Sequence, residues 1–379
     1  MSVTPAAPSP IKVVVVDDSP VQRRFLRASI EADHDLTVVG EARNGREAVA
    51  LVARLRPAAV LMDLDLPVMS GLEAIERIMA ASPTPILVYS AFVGGEDSKN
   101  ALEALAAGAV DVLAKPGPDD TGSLDSYADA LRKRLRVAAR VRVITHPRGR
   151  LRSQGIATES VPVLTGGTRS AARTLAAVAD EPREPFDSRS DLRLLAIGAS
   201  TGGPQALLTL LSALPADLPQ AVLVVQHMAE GFIPGLASWL DQLVSLPVVV
   251  GESGRRLMPG TVTIAPSGSN LLVQDDRMRV LCVPPDPGQF HVPGIDATFR
   301  SVADALGPRA VGVLLTGMGR DGAAGLLAMR ERGSVTLGQD EATSAVYGMP
   351  AAAAALQAID RQLPIGEVAP ALLELVGLR

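Results

Sequence analysis

The sequence predicts an α/β protein of two domains, each built on a largely parallel sheet. Its 379 residues exceed the size of one ordinary domain, which is about 150 residues. Short runs of Val, Ile and Leu alternate with amphipathic segments of helical length, the pattern of parallel strands covered by helices on both faces. The alternation stops once, between about residues 121 and 190, where Gly, Pro, Ser and basic residues take over. The chain therefore divides into two α/β units and a connecting segment.

The boundaries follow from this alternation. We expect a disordered tail at 1–10, a flavodoxin-like (βα)5 domain at 11–138 and a basic linker rich in Pro, Gly and Ser at 139–190. Residues 191–379 then form a doubly wound, mostly parallel α/β domain with a small antiparallel flap.

The strands of the first domain are predicted at 11–16, 36–42, 58–63, 85–90 and 110–115. Its helices are predicted at 19–32, 44–56, 70–81 and 96–107, with a last helix before the linker. In the second domain the strand candidates are 192–199, 221–228, 246–251, 261–266, 278–283, 310–317 and 334–339. Its helices are expected to begin at Gly203, Phe232, Ala297, Asp321 and Pro350, and the turn-rich region 251–296 predicts the flap.

Composition excludes several classes of protein. The net charge of −5 argues against an overall nucleic-acid-binding role, and the single Cys282 excludes a disulfide framework. No stretch approaches the about 18 apolar residues of a membrane span, so we expect no membrane insertion and a cytoplasmic location. Residues 131–152 carry nine basic and no acidic side chains. That run is interpreted as a solvated helix face and linker, with contact to an acidic partner or lipid surface as the alternative.

Polar side chains follow four predicted strands of the first domain. Asp17 and Asp18 end the first strand, Asp63 the third, Ser90 the fourth and Lys115 the fifth. Carboxyl ends of parallel strands line one crevice, so these side chains should converge. Each acidic residue alone could be a solvated strand end; together they predict a phosphoryl-transfer site.

Clustered carboxylates need a hard cation among them, and oxygen ligands suit Mg²⁺. The predicted magnesium ligands are Asp17, Asp18, Asp63 and Asp65. The cation would orient a phosphoryl group on Asp63, while Ser90 and Lys115 would bind its oxygens.

The segments VVVDDSP, MDLDLPVMSG, VYSA and AKP make residues 11–135 resemble a response-regulator receiver domain. The resemblance implies phosphorylation of Asp63 by a partner histidine kinase. Val112 stands where receivers often carry an aromatic switch residue, so a switch of that kind is not expected here.

In the second domain, the strand at 192–199 runs into Gly-Ala-Ser-Thr-Gly-Gly-Pro, with Ser200 at its centre. Gly-x-Ser-x-Gly is the spacing of a nucleophile elbow, in which a sharp strand-to-helix turn exposes the serine hydroxyl. A phosphate-binding loop and a purely structural turn are the alternatives. The strict Gly-x-Gly-x-x-Gly spacing and a following Gly-Lys-Ser/Thr are both absent, which weakens the phosphate loop.

A nucleophilic serine needs a base, and His227 follows the next strand. His291 is the competitor, since His34 is predicted on the surface and His146 in the linker. Asp321, in the glycine-rich turn after a third strand, could be a helix N-cap or could orient His227. Backbone amides of that turn could donate to an oxyanion.

The segments GASTGGP, VQHM, IDATFRSVA, LLTGMGRDGAAG and GQDEATSAVYGMP make the whole chain resemble the chemotaxis protein-glutamate methylesterases. The resemblance implies Ser200 as nucleophile, His227 as base, Asp321 as orienting acid and the Met318 amide as oxyanion donor. It implies demethylation of glutamate methyl esters and deamidation of glutamines on chemoreceptor helices, with no cofactor for the esterase. It also implies that the unphosphorylated receiver covers the active site.

The departures from the family cluster near the expected substrate groove. They are Ala229 in place of a proline, Ser267 to Asn270 in place of a segment with Gly then His, and Val292 in place of an arginine. They keep open a phosphorylation-gated binding module that has lost its substrate. A dinucleotide-dependent oxidoreductase is a more distant alternative.

Overall fold

The computed structural model describes residues 9–90, 96–116, 124–141, 191–229 and 231–378. Most of the predicted tail and residues 142–190 of the predicted linker lie outside these ranges. Among the helices that the structure describes, none is both long and apolar enough to cross a bilayer.

The first unit is a five-stranded parallel sheet with strand order β2-β1-β3-β4-β5. This order is the flavodoxin-like one, so the predicted fold of the first domain is confirmed. Its strands are β1 (Ile11–Val16), β2 (Leu36–Ala42), β3 (Ala59–Met62), β4 (Ile86–Ser90) and β5 (Asp111–Ala114). Its helices are α1 (Pro20–Glu31), α2 (Gly45–Leu55), α3 (Gly71–Ala81), α4 (Glu96–Ala106) and α5 (Leu124–Ala138).

Local sequence accounts for these elements. The hydroxyls of Ser19 and Ser70 and the amide oxygen of Asn44 each accept a backbone N–H in the first turn of α1, α3 and α2, respectively. The four valines of β1 are buried, and alternate residues pack on opposite faces of the sheet. The carboxyl ends of the strands are thereby fixed at one edge.

The second unit is a seven-stranded sheet with order β14-β13-β12-β6-β7-β9-β8, in which every neighbouring pair is parallel. Its strands are β6 (Leu194–Ala199), β7 (Ala221–Gln226), β8 (Val248–Val250), β9 (Val262–Ile264), β12 (Ala310–Leu314), β13 (Val335–Gln339) and β14 (Arg361–Leu363). Strands β10 (Asn270–Val273) and β11 (Val280–Val283) pair antiparallel, as the predicted flap requires.

The helices of this unit are α6 (Gly203–Ser212), α7 (Phe232–Asp241), α8 (Ile295–Leu306), α9 (Ala323–Glu331), α10 (Met349–Ala355) and α11 (Ile365–Leu375). Helix α8 begins two residues before the predicted start at Ala297, and α9 begins two residues after Asp321. Asp321 therefore lies in the turn between β12 and α9. The sequence did not indicate β14, which has three residues, or α11, which contains Pro370.

Strands β6 and β12 are neighbours, but the connection after β6 leads to β7 on one side and the connection after β12 leads to β13 on the other. Ligands of open α/β sheets bind at such a switch point, outside the carboxyl ends of the strands. Ser200 follows β6 at this point. The two units also touch here, because α4 packs against α6 and α7.

Candidate functional site

The predicted phosphoryl-transfer residues meet at the carboxyl edge of the first sheet. Lys115 Nζ lies 2.6 Å from Asp63 Oδ2 and 3.2 Å from Asp17 Oδ2. The backbone carbonyl of Ser90 accepts the Lys115 amide at 2.8 Å, which joins the ends of β4 and β5. Asp17, Asp63 and Ser90 are buried and Asp18 is exposed. The structure therefore brings these five residues together, as their positions after the strands predict.

The donor set at this edge fits a hard divalent cation. One carboxylate oxygen from each of Asp17, Asp18 and Asp63 lies within 4.8 Å of the others. The carboxylate of Asp65 is not in that group; its backbone amide donates to Asp63 Oδ1 at 3.4 Å. Magnesium prefers oxygen ligands of this type. The magnesium role of Asp65 stays a prediction.

The charge on Asp63 is strongly influenced by its surroundings. Burial raises the pKa of Asp63 to about 6, opposed by the Lys115 ammonium and reinforced by the nearby Asp17 carboxylate. A cation bound among the three carboxylates would favour the charged form. That form is the one able to attack a phosphoryl group.

An aromatic residue of β4 lies near the phosphoryl-transfer site. Val112 is buried, while Tyr89, one residue before Ser90, lies with its ring centroid 5.1 Å from Lys115 Nζ. The Tyr127 ring of α5 is 6.5 Å from that of Tyr89, and its hydroxyl donates to the Ala114 carbonyl. Sequence reasoning looked only at position 112 and missed this pair.

Ser200 sits on a sharp strand-to-helix turn. Its amide donates to the Thr316 carbonyl at 3.0 Å, and its carbonyl accepts the Gly203 amide at 2.7 Å. Gly202 has a φ of 76°, in the left-handed region that glycine adopts without strain. Gln226 Nε2 donates to the carbonyls of Ser200 and His227 at 2.9 and 2.8 Å. This glutamine, which the sequence did not single out, ties the ends of β6 and β7 together.

His227 pairs with Asp321 across the end of the sheet. His227 Nε2 lies 2.8 Å from Asp321 Oδ2, and both side chains are largely buried. A carboxylate only accepts hydrogen bonds, so we assign the proton to Nε2 and the lone pair to Nδ1. His227 Nδ1 is buried and has no hydrogen-bond partner among the described residues. The free nitrogen is therefore the one available to Ser200, which lines the same cavity.

Asp321 is held by the first turn of α8. Its carboxylate accepts the amides of Ile295 at 2.8 Å and Asp296 at 3.0 Å, and the adjacent Gly322 amide at 3.0 Å. Burial tends to raise the pKa of Asp321, but His227 and these amides hold it below its usual value. The capping position of α9 is Gly322, without a side-chain bond. Of the two roles open for Asp321, the geometry fits orientation of His227.

Two backbone amides beside Ser200 are available to bind an oxyanion. Among the hydrogen bonds of the described residues, the amides of Thr201 and Met318 have no acceptor. Gly317 lies so close that a Cβ there would be 2.7 Å from the Ser200 Cβ. Thr201 was not predicted, although the amide after the nucleophile is a standard oxyanion donor at such elbows.

A cavity of about 290 Å³ opens between the two units at Ser200. On the catalytic side it is lined by Ser200, His227 and Met318, and on the receiver side by Lys133 and Arg134 of α5. Two of the predicted departures, Ala229 and Val292, also line it. A third, Asn270, is buried and exchanges two 2.9 Å amide hydrogen bonds with Gln289.

Backbone atoms of the first unit bind the turn that carries Ser200. The carbonyl of Val110 accepts the Gly202 amide at 3.3 Å, and the carbonyl of Leu105 accepts Gln205 Nε2 at 2.5 Å. Val110 immediately precedes β5, whose other end leads to Lys115. One short strand thus connects the phosphoryl-transfer site to the serine turn.

Comparisons with known proteins cover both units. The receiver domain family model matches residues 13–123, and the CheB methylesterase model matches residues 195–372. A protein-glutamate methylesterase/protein-glutamine glutaminase of Paramagnetospirillum magneticum is 42% identical over 371 residues, covering 97% of this chain and 96% of that protein. This chain belongs to the CheB methylesterase family.

Two further proteins are similar to this chain, one over nearly its full length and one over the second unit. A protein-glutamate methylesterase/protein-glutamine glutaminase of Anaeromyxobacter dehalogenans is 42% identical over 366 residues, covering 97% of each chain. The solved catalytic domain of the Thermotoga maritima CheB methylesterase is 33% identical, with a TM-score of 0.47, over 49% of this chain and 99% of that chain. The two family models, matched in this order along the chain, show a receiver domain followed by a methylesterase domain. Neither a substrate-free binding module nor an oxidoreductase is favoured.

Proposed function

We propose that this chain is a protein-glutamate methylesterase that acts on the cytoplasmic helices of methyl-accepting chemoreceptors and is activated by a chemotaxis histidine kinase. It also deamidates glutamines at the same site. The observation that carries the proposal is the His227–Asp321 pair, whose free Nδ1 shares one cavity with Ser200. A nucleophile, a base and an orienting carboxylate in this order meet the geometric requirements of serine esterases.

In the first step, Ser200 Oγ attacks the carbonyl carbon of the ester while His227 Nδ1 takes the hydroxyl proton. Asp321 stabilises the imidazolium, and the amides of Thr201 and Met318 bind the oxyanion. The tetrahedral intermediate collapses by breaking the bond to the methoxy oxygen, which leaves as methanol with the proton from His227. Ser200 then carries the glutamyl group as an ester.

In the second step, His227 removes a proton from water, and the resulting hydroxide attacks the acyl-enzyme carbonyl. The bond to Ser200 Oγ breaks, and the serine recovers the proton from His227. The products are the receptor glutamate and the free enzyme. A glutamine side chain follows the same path, with ammonia leaving in place of methanol, because both substrates pass through a tetrahedral oxyanion.

Phosphorylation takes place on Asp63. Asp17, Asp18 and Asp63 would hold Mg²⁺, which supplies charge neutralisation for the incoming phosphoryl group. Lys115 and Ser90 would bind the phosphoryl oxygens. The 2.6 Å contact between Lys115 and Asp63 must then be replaced by a contact to the phosphoryl group. Because β5 links Lys115 to Val110, this exchange is the step that loosens the Val110–Gly202 contact.

The receiver domain restricts access to Ser200 in the unphosphorylated state. Lys133 and Arg134 of α5 line the same cavity as Ser200 and His227, so the receiver forms one wall of the path to Ser200. A helix with its side chains is about 10–12 Å across. We expect separation of α5 from the cavity to open this path to a helical substrate.

The test is methanol release from a methylated receptor fragment by the full chain, with and without acetyl phosphate and Mg²⁺. We expect hydrolysis that rises on phosphorylation, loss of that rise in Asp63→Asn, and loss of hydrolysis by about 10⁴-fold or more in Ser200→Ala. Ser200→Ala should still be phosphorylated on Asp63. Retained hydrolysis in that variant contradicts the mechanism. Phosphorylation-dependent binding to the fragment without methanol release supports the binding module instead.

A further inference from the structure

His291 lies against the ring of His227. The two imidazole centroids are 4.4 Å apart, and the ring planes differ by only 7°. His291 is partly buried and lies in the segment between β11 and α8, remote in sequence from β7. The stack therefore covers one face of the proposed base, while Asp321 binds its edge through Nε2.

A hydrogen bond at Nε2 leaves the imidazole free to rotate about the line that joins the two side chains. A ring packed on its face removes that freedom, because a tilt of the His227 ring would break the stack or bring the two rings into steric conflict. The direction of Nδ1 is then determined by the hydrogen bond at the edge of the ring and the stack on its face. Proton transfer from Ser200 depends on that direction.

The segment that carries His291 is itself anchored. Gln289 Nε2 donates to the His291 carbonyl at 2.6 Å and to Asn270 Oδ1 at 2.9 Å. Asn270 Oδ1 also accepts the Gly294 amide at 2.7 Å. The following residue, Ile295, donates its amide to Asp321. One continuous segment thus places both the stacked ring and the carboxylate against His227.

The surroundings of His291 favour the neutral form of its ring. Burial lowers its pKa, and the neighbouring His227, Lys133 and Arg134 lower it further, against the opposing effect of Asp321. The other charged groups along the adjoining groove are Asp286, Asp296, Arg300 and Arg320. A neutral ring stabilises an imidazolium on its face, whereas a charged ring would repel it.

We propose that His291 is a positioning residue of the esterase, whose ring fixes the plane of His227 by stacking on its face. This inference rests on the proposed function, because His227 must act as the base. It assigns no direct contact between His291 and the substrate. In this proposal, the paired side-chain amides of Asn270 and Gln289 hold the segment that carries the stacked ring.

The test compares His291→Ala and His291→Phe in the full chain, using methanol release after acetyl phosphate treatment, with His34→Phe as control. His34 is exposed and distant from the site in sequence and fold. We expect His291→Ala to lower kcat roughly 10- to 100-fold with KM little changed, and His291→Phe to restore most of the loss. The acid limb of the pH profile should be shallower in His291→Phe, because a phenyl ring gains no charge as the pH falls. His34→Phe should match the native chain.

A kcat of His291→Ala equal to that of the native chain overturns the proposal, as does a loss that His291→Phe leaves unrestored. A second measurement does not depend on esterase activity: the NMR chemical shifts of the His227 ring in the native chain, His291→Ala and His291→Phe. We expect the ring protons of His227 to be displaced in the native chain and in His291→Phe but not in His291→Ala, because only the first two place an aromatic ring on its face. Identical shifts in all three proteins refute the stack. Absence of hydrolysis by the native chain would refute the proposed function alone.

Discussion

The phosphoryl-transfer site and the esterase site occupy equivalent edges of two parallel sheets but are held in different ways. At the first, charged side chains contact one another directly: Lys115 binds both Asp17 and Asp63. At the second, the functional groups are held mainly by backbone amides, by Gln226 and by a stacked ring. As proposed, the first site exchanges its Lys115 contact for one to a phosphoryl group, whereas the groups of the second are already arranged before substrate binds.

This contrast follows from the chemistry of each site. In the proposed mechanism, phosphorylation of Asp63 changes the local charge, so the groups around it exchange partners. The proposed ester hydrolysis develops charge briefly, on the oxyanion and on His227, and gains most from dipoles that are already oriented. Oriented backbone amides suit the second reaction, and ion pairs between side chains suit the first.

The largest expected effect that separates the two sites comes from Asp321→Asn. An asparagine amide can donate to His227 Nε2, which favours the tautomer that lacks a lone pair on Nδ1. We expect kcat for methanol release to fall by about 10³- to 10⁴-fold, while phosphorylation of Asp63 is unchanged. The exposed Asp276 provides the control Asp276→Asn, which should alter neither reaction. A variant that keeps native kcat would show that His227 needs no carboxylate.

A smaller effect is expected at the contact between the two units. Gln205→Ala removes the hydrogen bond from Gln205 Nε2 to the Leu105 carbonyl but leaves the residues of the serine turn in place. One hydrogen bond of about 0.5 to 1.5 kcal/mol corresponds to a two- to tenfold rise in methanol release without acetyl phosphate. Activity after phosphorylation should be unchanged, because the contact is then already lost.

The exposed Gln274, in the turn between β10 and β11, supplies the matched control Gln274→Ala. It should leave both activities as they are. Unaltered basal release in Gln205→Ala, with phosphorylation still activating, would mean that this contact does not restrict access to Ser200. The receiver would then act through other surfaces of α5.

Much of this arrangement could be predicted from the sequence. Asp17, Asp63 and Lys115 each follow a strand directly, and Ser90 is the last residue of one, so knowledge of the strands is enough to bring them together. Ser200 and His227 follow two adjacent strands for the same reason. Without the family resemblance, the residues leave the role of Asp321 open between capping and orientation of His227, because the choice depends on where α9 begins.

The remaining features depend on contacts between distant segments, which a local sequence pattern does not predict. Gln226 ends β7 like any buried polar residue, and its role appears only when its amide is seen to bind two carbonyls. His291 reaches His227 through a segment whose course is set by Asn270 and Gln289, 19 residues apart. The contacts of Val110 and Leu105 with the serine turn depend on how the two units pack. Each is a relation between distant segments, which strand and helix periodicity does not encode.

The smallest expected effect concerns the pH dependence of stability in the catalytic domain. It tests how firmly the groups of the esterase site are held in the folded chain. The pKa of His291 is lowered in the folded chain, so the unfolded chain, with an ordinary histidine pKa of about 6.5, takes up the proton first as the pH falls. Stability of the catalytic domain should therefore decline as the pH drops through about 6.5. His291→Phe should show a weaker decline, because its ring has no proton to gain.

Urea unfolding of the full chain at pH 7.5 and 5.5, followed at Trp239, the single tryptophan, in α7 of the catalytic domain, measures this difference. His34→Phe should retain the native pH dependence. If the unfolding midpoints of His291→Phe shift with pH as much as those of the native chain, folding does not lower the pKa of His291. The stack would then be a packing contact that tolerates either charge state, and the esterase site would be less rigid than its amide contacts indicate.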